Sequence, residues 1–240
     1  MKKLTLIIII LSLTMNLFAM TSNDMLTKIK RLEEKLTSFE ASINPAGNKT
    51  KMAKMEKKLD LLADVKNGNV KYKKGNRIKI EGKLQGIKVS AIENNYKIRF
   101  NVGPLKGSMD YKDDPGKRYS SVDLGFLSSW LWQNNKVTIL STDKNGVAKC
   151  KFDPIQGGNE LRHDLIWIDT KTLKIMRREK YNTDGILKLI IVYKEWKEML
   201  PGYWVGIKYN TYNPKNELLG TNVLSNIKVN NSMKDSIFDI

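Results

Sequence analysis

The pattern of apolar and polar residues changes its period along the chain, predicting helices first and strands afterwards. Between residues 23 and 43, apolar residues recur every three or four positions with charged residues between them, which is typical of an amphipathic helix. These apolar positions are Met25, Ile29, Leu32, Leu36, Phe39 and Ile43. A second, weaker helical pattern covers about 51–65 and ends at Asn67-Gly68.

From residue 68 the period is two, which indicates antiparallel strands with one solvent-exposed face. The alternation is found in 76–84, 96–102, 147–152 and 203–211. Turn-forming residues separate these segments, among them Lys144-Asn145-Gly146 and Thr183-Asp184-Gly185. In Leu187–Tyr193 both faces are apolar, so we expect this strand to be covered on both sides. A long antiparallel meander is predicted.

The segment from Ser121 to Trp132 is apolar nearly all round and predicts a short buried helix. A single sheet can bury such a helix only by curling around it. The predicted fold class is therefore α+β: a curved antiparallel β-sheet, a half-open and incomplete barrel, with helices packed on its concave side.

The first residues have the pattern of a secretory signal peptide. Lys2 and Lys3 precede an apolar run, and Ala19 offers a cleavage site. An uncleaved anchor is the alternative, although the run is short for a membrane span. The predicted organisation is a signal peptide in 1–19, an N-terminal helical segment in 20–66 that begins the domain, and the half-barrel in 67–240. We expect the protein outside the cytoplasmic membrane.

The composition restricts the possible partners and chemistry. The 42 Lys and Arg residues outnumber the 25 Asp and Glu residues, giving a formal net charge of +17. Such a chain can meet nucleic acid, anionic lipid or anionic wall polymer, but the charges are dispersed and secretion argues against nucleic acid. One cysteine and one histidine exclude a disulfide framework, a Cys-rich metal site and a multi-His zinc site. We expect no cofactor and no metal.

Few residues offer catalytic chemistry. His163 precedes Asp164 and could act as a base oriented by that carboxylate, but an exposed turn residue is the favoured interpretation because no nucleophile motif accompanies it. Cys150 shares one side of its strand with Ala148 and Phe152, which favours an inert core thiol. We predict that the protein is not an enzyme, and a hydrolase is the least favoured function.

One segment resembles a known family. From Trp167 to Gly185 the chain has the pattern W-I-D-x-x-T-x-x-x-x-R-x-E-x-Y-x-x-D-G, which covers a strand, a tight turn, a second strand and an Asp-Gly turn. This pattern resembles the outer-membrane lipoprotein-sorting (LolA/LolB-like) superfamily. Residues 227–238 look like its last strand followed by an apolar residue pinned near the terminus, and 68–80 look like its early hairpin. The resemblance spans most of 23–238 and is specific in 165–185.

The resemblance implies a half-open barrel whose apolar cavity takes acyl chains, in a periplasmic protein. Lys74 stands where carriers of the superfamily have a basic residue that helps to hold the lid closed. We expect the cavity to be lined by Ile78, Ile80, Ile98, Phe100, Leu127, Trp130, Leu131, Trp132, Trp167 and Ile190. The same residues at the same spacing could instead form an ordinary closed core.

Two functions follow as hypotheses. The first is a monomeric periplasmic carrier in outer-membrane lipoprotein sorting, which shields lipid or lipoprotein acyl chains and releases them at a membrane-bound partner. The alternative is a non-catalytic module of the cell envelope, with a filled core and a basic surface that binds anionic lipid or wall polymer.

Overall fold

The computed structural model describes residues 20–47, 65–112, 121–155 and 161–240, with side chains given from residue 68 in the second range. The predicted signal peptide and nearly all of the predicted helix in 51–65 lie outside the described residues. The helices are α1 (Ser22–Glu33) and α2 (Ser129–Asn134), with 3₁₀ turns at Ser121–Leu124 and Asp235–Phe238. Neither α-helix is long and apolar enough to cross a membrane, nor is any other helix in the described ranges.

Thirteen antiparallel strands form a single sheet. They are β1 (Ser38–Gly47), β2 (Val65–Lys73), β3 (Arg77–Leu84), β4 (Ile87–Asn94), β5 (Lys97–Val102), β6 (Leu105–Asp110), β7 (Asn135–Thr142), β8 (Val147–Pro154), β9 (Asp164–Asp169), β10 (Ile175–Tyr181), β11 (Leu187–Leu200), β12 (Tyr203–Tyr212) and β13 (Leu218–Val229). The strand order is β6-β5-β4-β3-β2-β1-β13-β12-β11-β10-β9-β8-β7. The fold is thus two meanders joined by the β1–β13 pair, with β6 and β7 as the sheet edges.

The sheet is curved and is not closed into a barrel, which confirms the predicted half-open architecture. We call the side that carries α1 and residues 121–134 the inner face, and the other side the outer face. The alternating segments predicted from the sequence form β3, β5, β8 and β12. In β11 the adjacent Ile190 and Ile191 are both buried although they lie on opposite faces, as the doubly apolar pattern predicted.

The first predicted helix is correct only in its first half. A capping box closes its start, because the Asp24 backbone N–H donates to Thr21 Oγ1 at 3.1 Å and the Asp24 carboxylate accepts from the Thr21 backbone at 2.9 Å. The helix ends at Glu33, and the chain from Ser38 continues as β1. Phe39 and Ile43 are four residues apart, a spacing that fits one face of a helix and one face of a strand equally well. Because this segment pairs with β2 on one side and β13 on the other, it forms a strand.

The C-terminal segment packs on the outer face of the first meander. Phe238 is fully buried and forms a small cluster with Ile92 and Met233. Asp235 accepts hydrogen bonds from Lys73 Nζ at 2.7 Å and from the Arg77 guanidinium at 2.5 Å. An apolar residue is therefore pinned near the C-terminus, as the sequence resemblance led us to expect.

Candidate functional site

Residues 121–134, which we call the inner segment, fill the inner face over the middle of the sheet. The sequence predicted one helix here, but the structure has a 3₁₀ turn, a short connection and then α2. Gly125 interrupts the helix with φ of +88°. Its carbonyl accepts a hydrogen bond of 2.8 Å from the Gly206 backbone N–H of β12, and this contact replaces the next helical bond.

Neither Gly125 nor Gly206 has room for a side chain, Gly125 because the backbone of β12 is close and Gly206 because the ring of Tyr193 lies against it. A Cβ on Gly125 would lie 2.7 Å from the Gly206 carbonyl oxygen, and a Cβ on Gly206 would lie 2.3 Å from the ring of Tyr193. Two buried hydroxyls add further ties: Tyr193 donates to the Val122 carbonyl at 3.1 Å, and Tyr203 donates to the Leu127 carbonyl. The inner segment is thus an integral part of the packed interior.

Phe126 is the centre of this packing. Its ring is fully buried among the rings of Phe39, Tyr72 and Tyr203, with centroid distances of 5.5, 5.2 and 5.9 Å. Two of the three contacts are edge-to-face, the arrangement that aromatic quadrupoles favour. The space where the sequence placed a cavity is occupied here by the protein's own side chains.

A buried ionic cluster also holds the inner segment. Arg178 of β10 donates to Asp123 of the 3₁₀ turn and to Asp164 of β9, each at 2.7 Å. Burial alone lowers the pKa of Arg178, but the two carboxylates outweigh it and raise that pKa above its ordinary value. Because a buried charge without partners is costly, this cluster fixes the turn to the sheet.

Towards the edge strand β6, the inner face opens to solvent. Across β3 to β6 the register aligns Ile80, Ala91, Phe100 and Gly107 in one row on the inner face. Gly107 is required there, because a Cβ at this position would lie 2.2 Å from the Phe100 ring. The aromatic ring therefore lies over the backbone of β6.

Around this row, large apolar side chains are exposed. The exposed fraction is 71% for Leu105, 51% for Ile87, 47% for Met109 and 40% for Val102. The strand registers place all four residues on the inner face. The same registers place Leu84 and Val89, which are partly buried, on that face. Exposed large apolar residues that cluster on one face make that face the candidate binding surface. We call the exposed inner side of β3–β6, from Ile80 to Met109, the open face.

The predicted lining residues fall into four groups, three of which lie on the inner side of the sheet. Ile78, Ile98, Leu127 and Leu131 are buried in the packed interior. Ile80 and Phe100 are partly buried and belong to the open face, whereas Trp130 and Trp132 are partly buried in α2. Trp132 packs edge-to-face on Phe152 and donates its indole N–H to Ser22 Oγ at 3.0 Å. These positions do not form one continuous lining.

Trp167 and Ile190 point the other way, which corrects their predicted place on the inner face. Ile166 and Ile168 belong to the interior, so strand alternation directs Trp167 between them to the outer face. There its ring lies 5.0 Å from Lys149 Nζ and 5.5 Å from the Arg177 guanidinium carbon. Ile190 is on the outer face for the same reason, since Ile191 beside it belongs to the interior.

Lys74 lies in the β2–β3 turn, where its backbone N–H donates to the Thr37 carbonyl at 3.1 Å. Its charge favours the ionised form of Glu33 at the end of α1, although burial outweighs this effect and raises the pKa of Glu33. Glu33 in turn accepts a hydrogen bond of 3.0 Å from the Ser129 backbone N–H of α2. A basic side chain therefore lies close to the contact between the two helices, and its role in closing a lid remains a prediction.

The other candidates for chemistry have structural partners. His163 Nδ1 lies 2.8 Å from the Leu161 carbonyl oxygen and its ring stacks on Tyr181, while Asp164 is engaged by Arg178. Cys150 is fully buried, and burial raises the pKa of its thiol to about 12. In the described ranges, no group of three or more His, Cys, Asp or Glu residues could hold a metal ion.

Sequence reasoning missed most of the open face. Its additional residues are Leu84, Ile87, Val89, Val102, Leu105, Gly107 and Met109. A signal was present, because Ile87, Val89 and Ala91 alternate with polar residues, as do Leu105, Gly107 and Met109. These short runs were adjacent to turns and gave no indication of which strand would lie beyond the packed interior.

Comparison with known proteins supports the same architecture. No family model matches the chain, and no curated protein matches it. Among solved structures, a putative outer membrane lipoprotein-sorting protein domain from Vibrio parahaemolyticus is 14% identical, covers 90% of this chain and 95% of its own, and has a TM-score of 0.62. A LolA superfamily protein from Nitrosomonas europaea is 12% identical, and the match covers 92% of this chain and 99% of that protein's chain. A DUF1329 family protein from Desulfovibrio piger is 13% identical, and the match covers 90% of this chain and 95% of that protein's chain.

The last two structures also give a TM-score of 0.62. At such low identity the comparison establishes the fold alone. The resemblance first seen between Trp167 and Gly185 extends to the whole architecture, and the chain has a LolA-like fold.

Proposed function

We propose that this protein is a periplasmic carrier that binds lipid or lipoprotein acyl chains on the open face and takes part in outer-membrane lipoprotein sorting. Binding is non-covalent, needs no cofactor and involves no catalysis. A membrane-bound partner accepts or releases the cargo, and the carrier acts as a monomer. The predicted signal peptide in 1–19 and the names of the lipoprotein-sorting and LolA superfamily neighbours support this assignment.

The observation that carries the proposal is the exposure of Ile87, Val102, Leu105 and Met109 side by side on the inner face. A scattered exposed leucine would need no explanation, but a contiguous group on the curved face of a sheet does. An acyl chain laid along Phe100 would contact side chains from four strands at once. The buried part of the inner face would then serve as a rigid support for the open part.

The available free energy is sufficient without any polar contact. Each buried methylene contributes about 0.8 kcal/mol, so a sixteen-carbon chain supplies on the order of 10 kcal/mol before ordering costs. Because the open face covers only part of the inner side, we expect it to hold one or two chains.

The experiment is uptake of a fluorescent fatty acid by the full-length secreted protein, with native mass spectrometry of protein from its own envelope fraction. The test variant is Ile87→Ser combined with Leu105→Ser, which removes two exposed side chains of the open face. The matched control is Leu140→Ser on β7, since Leu140 is also half-exposed but lies at the opposite sheet edge.

We expect the double variant to bind at least about tenfold more weakly, because each lost contact is worth roughly 1 kcal/mol. The control variant should bind like the natural protein, and all three should unfold at similar temperatures. Equal uptake by all three proteins, or no uptake by any, would contradict the proposal.

A second candidate is the envelope interaction module with a filled core. The packing of Phe126 favours it, because the middle of the inner face has no room for a ligand. This candidate predicts no bound lipid and a salt-sensitive association with anionic membranes or wall polymer. The absence of lipid uptake together with such binding would select it.

A further inference from the structure

We propose that the cargo is an anionic amphiphile, and that a basic groove on the outer face of β5–β6 binds its phosphate headgroup while the acyl chain lies on the open face. The inference rests on the proposed function for the position of the chain. It adds the substrate class, namely a phosphate-bearing lipid rather than a neutral one.

The groove lies between the edge hairpin and the end of the C-terminal segment. Its volume is about 450 Å³, and it is lined by Lys97, Arg99, Lys106, Gly107, Ser108, Met109, Asp110 and Ile240. Arg99 and Ser108 are directly paired across the two strands, as are Lys97 and Asp110. Lys97 and Arg99 lie two residues apart on the same side of β5, and Lys106 lies diagonally opposite Arg99 on β6. Diagonal neighbours are about 7–8 Å apart, within reach of long side chains, so these cations can converge on a single anion.

Four basic residues on neighbouring strands of this meander have acidic partners. On β2 and β3, Lys71 and Lys79 pair with Glu81, while Lys73 and Arg77 pair with Asp235. Lys97, Arg99 and Lys106 form no ion pair within the part of the chain that the structure describes. Lys83 and Lys88, which face each other beside the β3–β4 turn, also form no ion pair among the described residues, but they do not line the groove. The groove therefore offers three cations to an external anion.

The edge strand connects this groove to the open face. Lys97, Arg99 and Lys106 have outer-face register, but Met109, which also lines the groove, has the inner-face register of Phe100 and Leu105. β6 has a partner on one side only, so nothing in the sheet continues beyond it. A molecule on the open face can therefore reach the basic groove by passing around a single strand.

The chemistry of the groove suits a phosphate group. A guanidinium, two ammonium groups and the Ser108 hydroxyl are the donors that phosphate oxygens accept most strongly. Asp110 is the one acidic side chain of the groove. The adjoining hollow, of about 540 Å³, is less suitable because Asp110 and Asp239 balance Lys97 and Lys112 there.

The test compares two probes with the same chain, palmitoyl-glycerol phosphate and monopalmitoylglycerol, by calorimetry on the full protein at low salt. We expect the phosphate-bearing probe to bind about tenfold more tightly. This preference should decline with salt and should be lost when Arg99→Gln is combined with Lys106→Gln. The matched control is Lys188→Gln with Lys194→Gln, which removes the same charge from exposed positions on β11 and should keep the preference.

The outcomes separate the two proposals. Equal affinity for both probes, or a preference that survives loss of Arg99 and Lys106, would overturn the headgroup site and leave the acyl-chain site intact. Failure of both probes to bind would overturn the proposed function together with this inference. Glycerol phosphate without a chain should bind much more weakly, and equally tight binding would show an independent anion site rather than an amphiphile site.

Discussion

Replacing Phe126 with alanine tests whether the inner segment is permanent core or a displaceable occupant of a cavity. The ring is fully buried and contacts three other aromatic rings at centroid distances of 5.2 to 5.9 Å. Core Phe→Ala changes cost about 3–5 kcal/mol, and the aromatic pairs add to the transfer free energy. We therefore expect a loss of about 4 kcal/mol in the free energy of unfolding, roughly a thousandfold change in the folding equilibrium.

The assay is urea unfolding followed by circular dichroism and tryptophan fluorescence. If the substitution changes only stability, the urea concentration at the midpoint of unfolding falls, while the dependence of the free energy of unfolding on urea concentration stays the same. The matched control is Phe100→Ala, which removes the same ring from the open face, where it is partly exposed. We expect this control to cost about 1–2 kcal/mol but to weaken lipid uptake.

The two variants should therefore have opposite profiles. Phe126→Ala should reduce stability strongly without improving lipid uptake by the folded protein. A cost below about 1 kcal/mol, or a gain in lipid capacity, would show that the inner segment leaves the face readily. In that case the larger cavity expected from the sequence would be the true site.

Three further predictions concern the supports of this core. Gly125→Ala should destabilise the folded protein by about 2–3 kcal/mol more than Gly86→Ala does. Both glycines have positive φ, but only at Gly125 would a Cβ meet backbone, at 2.7 Å from the Gly206 carbonyl oxygen. Thermal unfolding of the two variants measures the difference. Arg178→Met should cost about 3–5 kcal/mol by removing the buried cation that pairs with both Asp123 and Asp164, although Lys180 Nζ remains 3.5 Å from Asp123, and a stable variant would contradict that reasoning. Since the pKa of Cys150 is raised to about 12, its thiolate fraction at pH 8 is about a thousandfold below that of an ordinary thiol. Maleimide should therefore label Cys150 only after the protein unfolds. Rapid labelling of the native protein would refute this expectation.

The strands were predictable because their signal is local. Alternation in 76–84, 96–102, 147–152 and 203–211 depends only on which side chains avoid water, and each segment is a strand in the structure. The same reasoning failed between Ser38 and Ile43, where the apolar spacing satisfied a helix as well as a strand. Hydrogen bonds to β2 and β13, which are distant in sequence, settled that choice.

The candidate site was harder to predict. Periodicity assigns a residue to a face but does not tell how far along the sheet the covering segment extends. Leu127 and Leu131 were expected beside a cavity and are buried, whereas Leu105 and Ile87 were not singled out and form the open face. Trp167 was assigned to the wrong face, because its apolar neighbours Ile166 and Ile168 alternate around it.

By itself, the sequence determined the curved antiparallel sheet and the need for a buried apolar segment, because hydrophobic periodicity and turn chemistry act over a few residues. The likeness to a lipoprotein-sorting fold came separately, from the resemblance of the motif between Trp167 and Gly185. The tertiary structure alone decided which part of the inner face is filled. That outcome depends on the close approach of Gly125 to Gly206, the ring contacts of Phe126 and the ion pairs of Arg178. Each of these contacts joins residues more than fifty positions apart or from different strands, and no local pattern encodes such a distance.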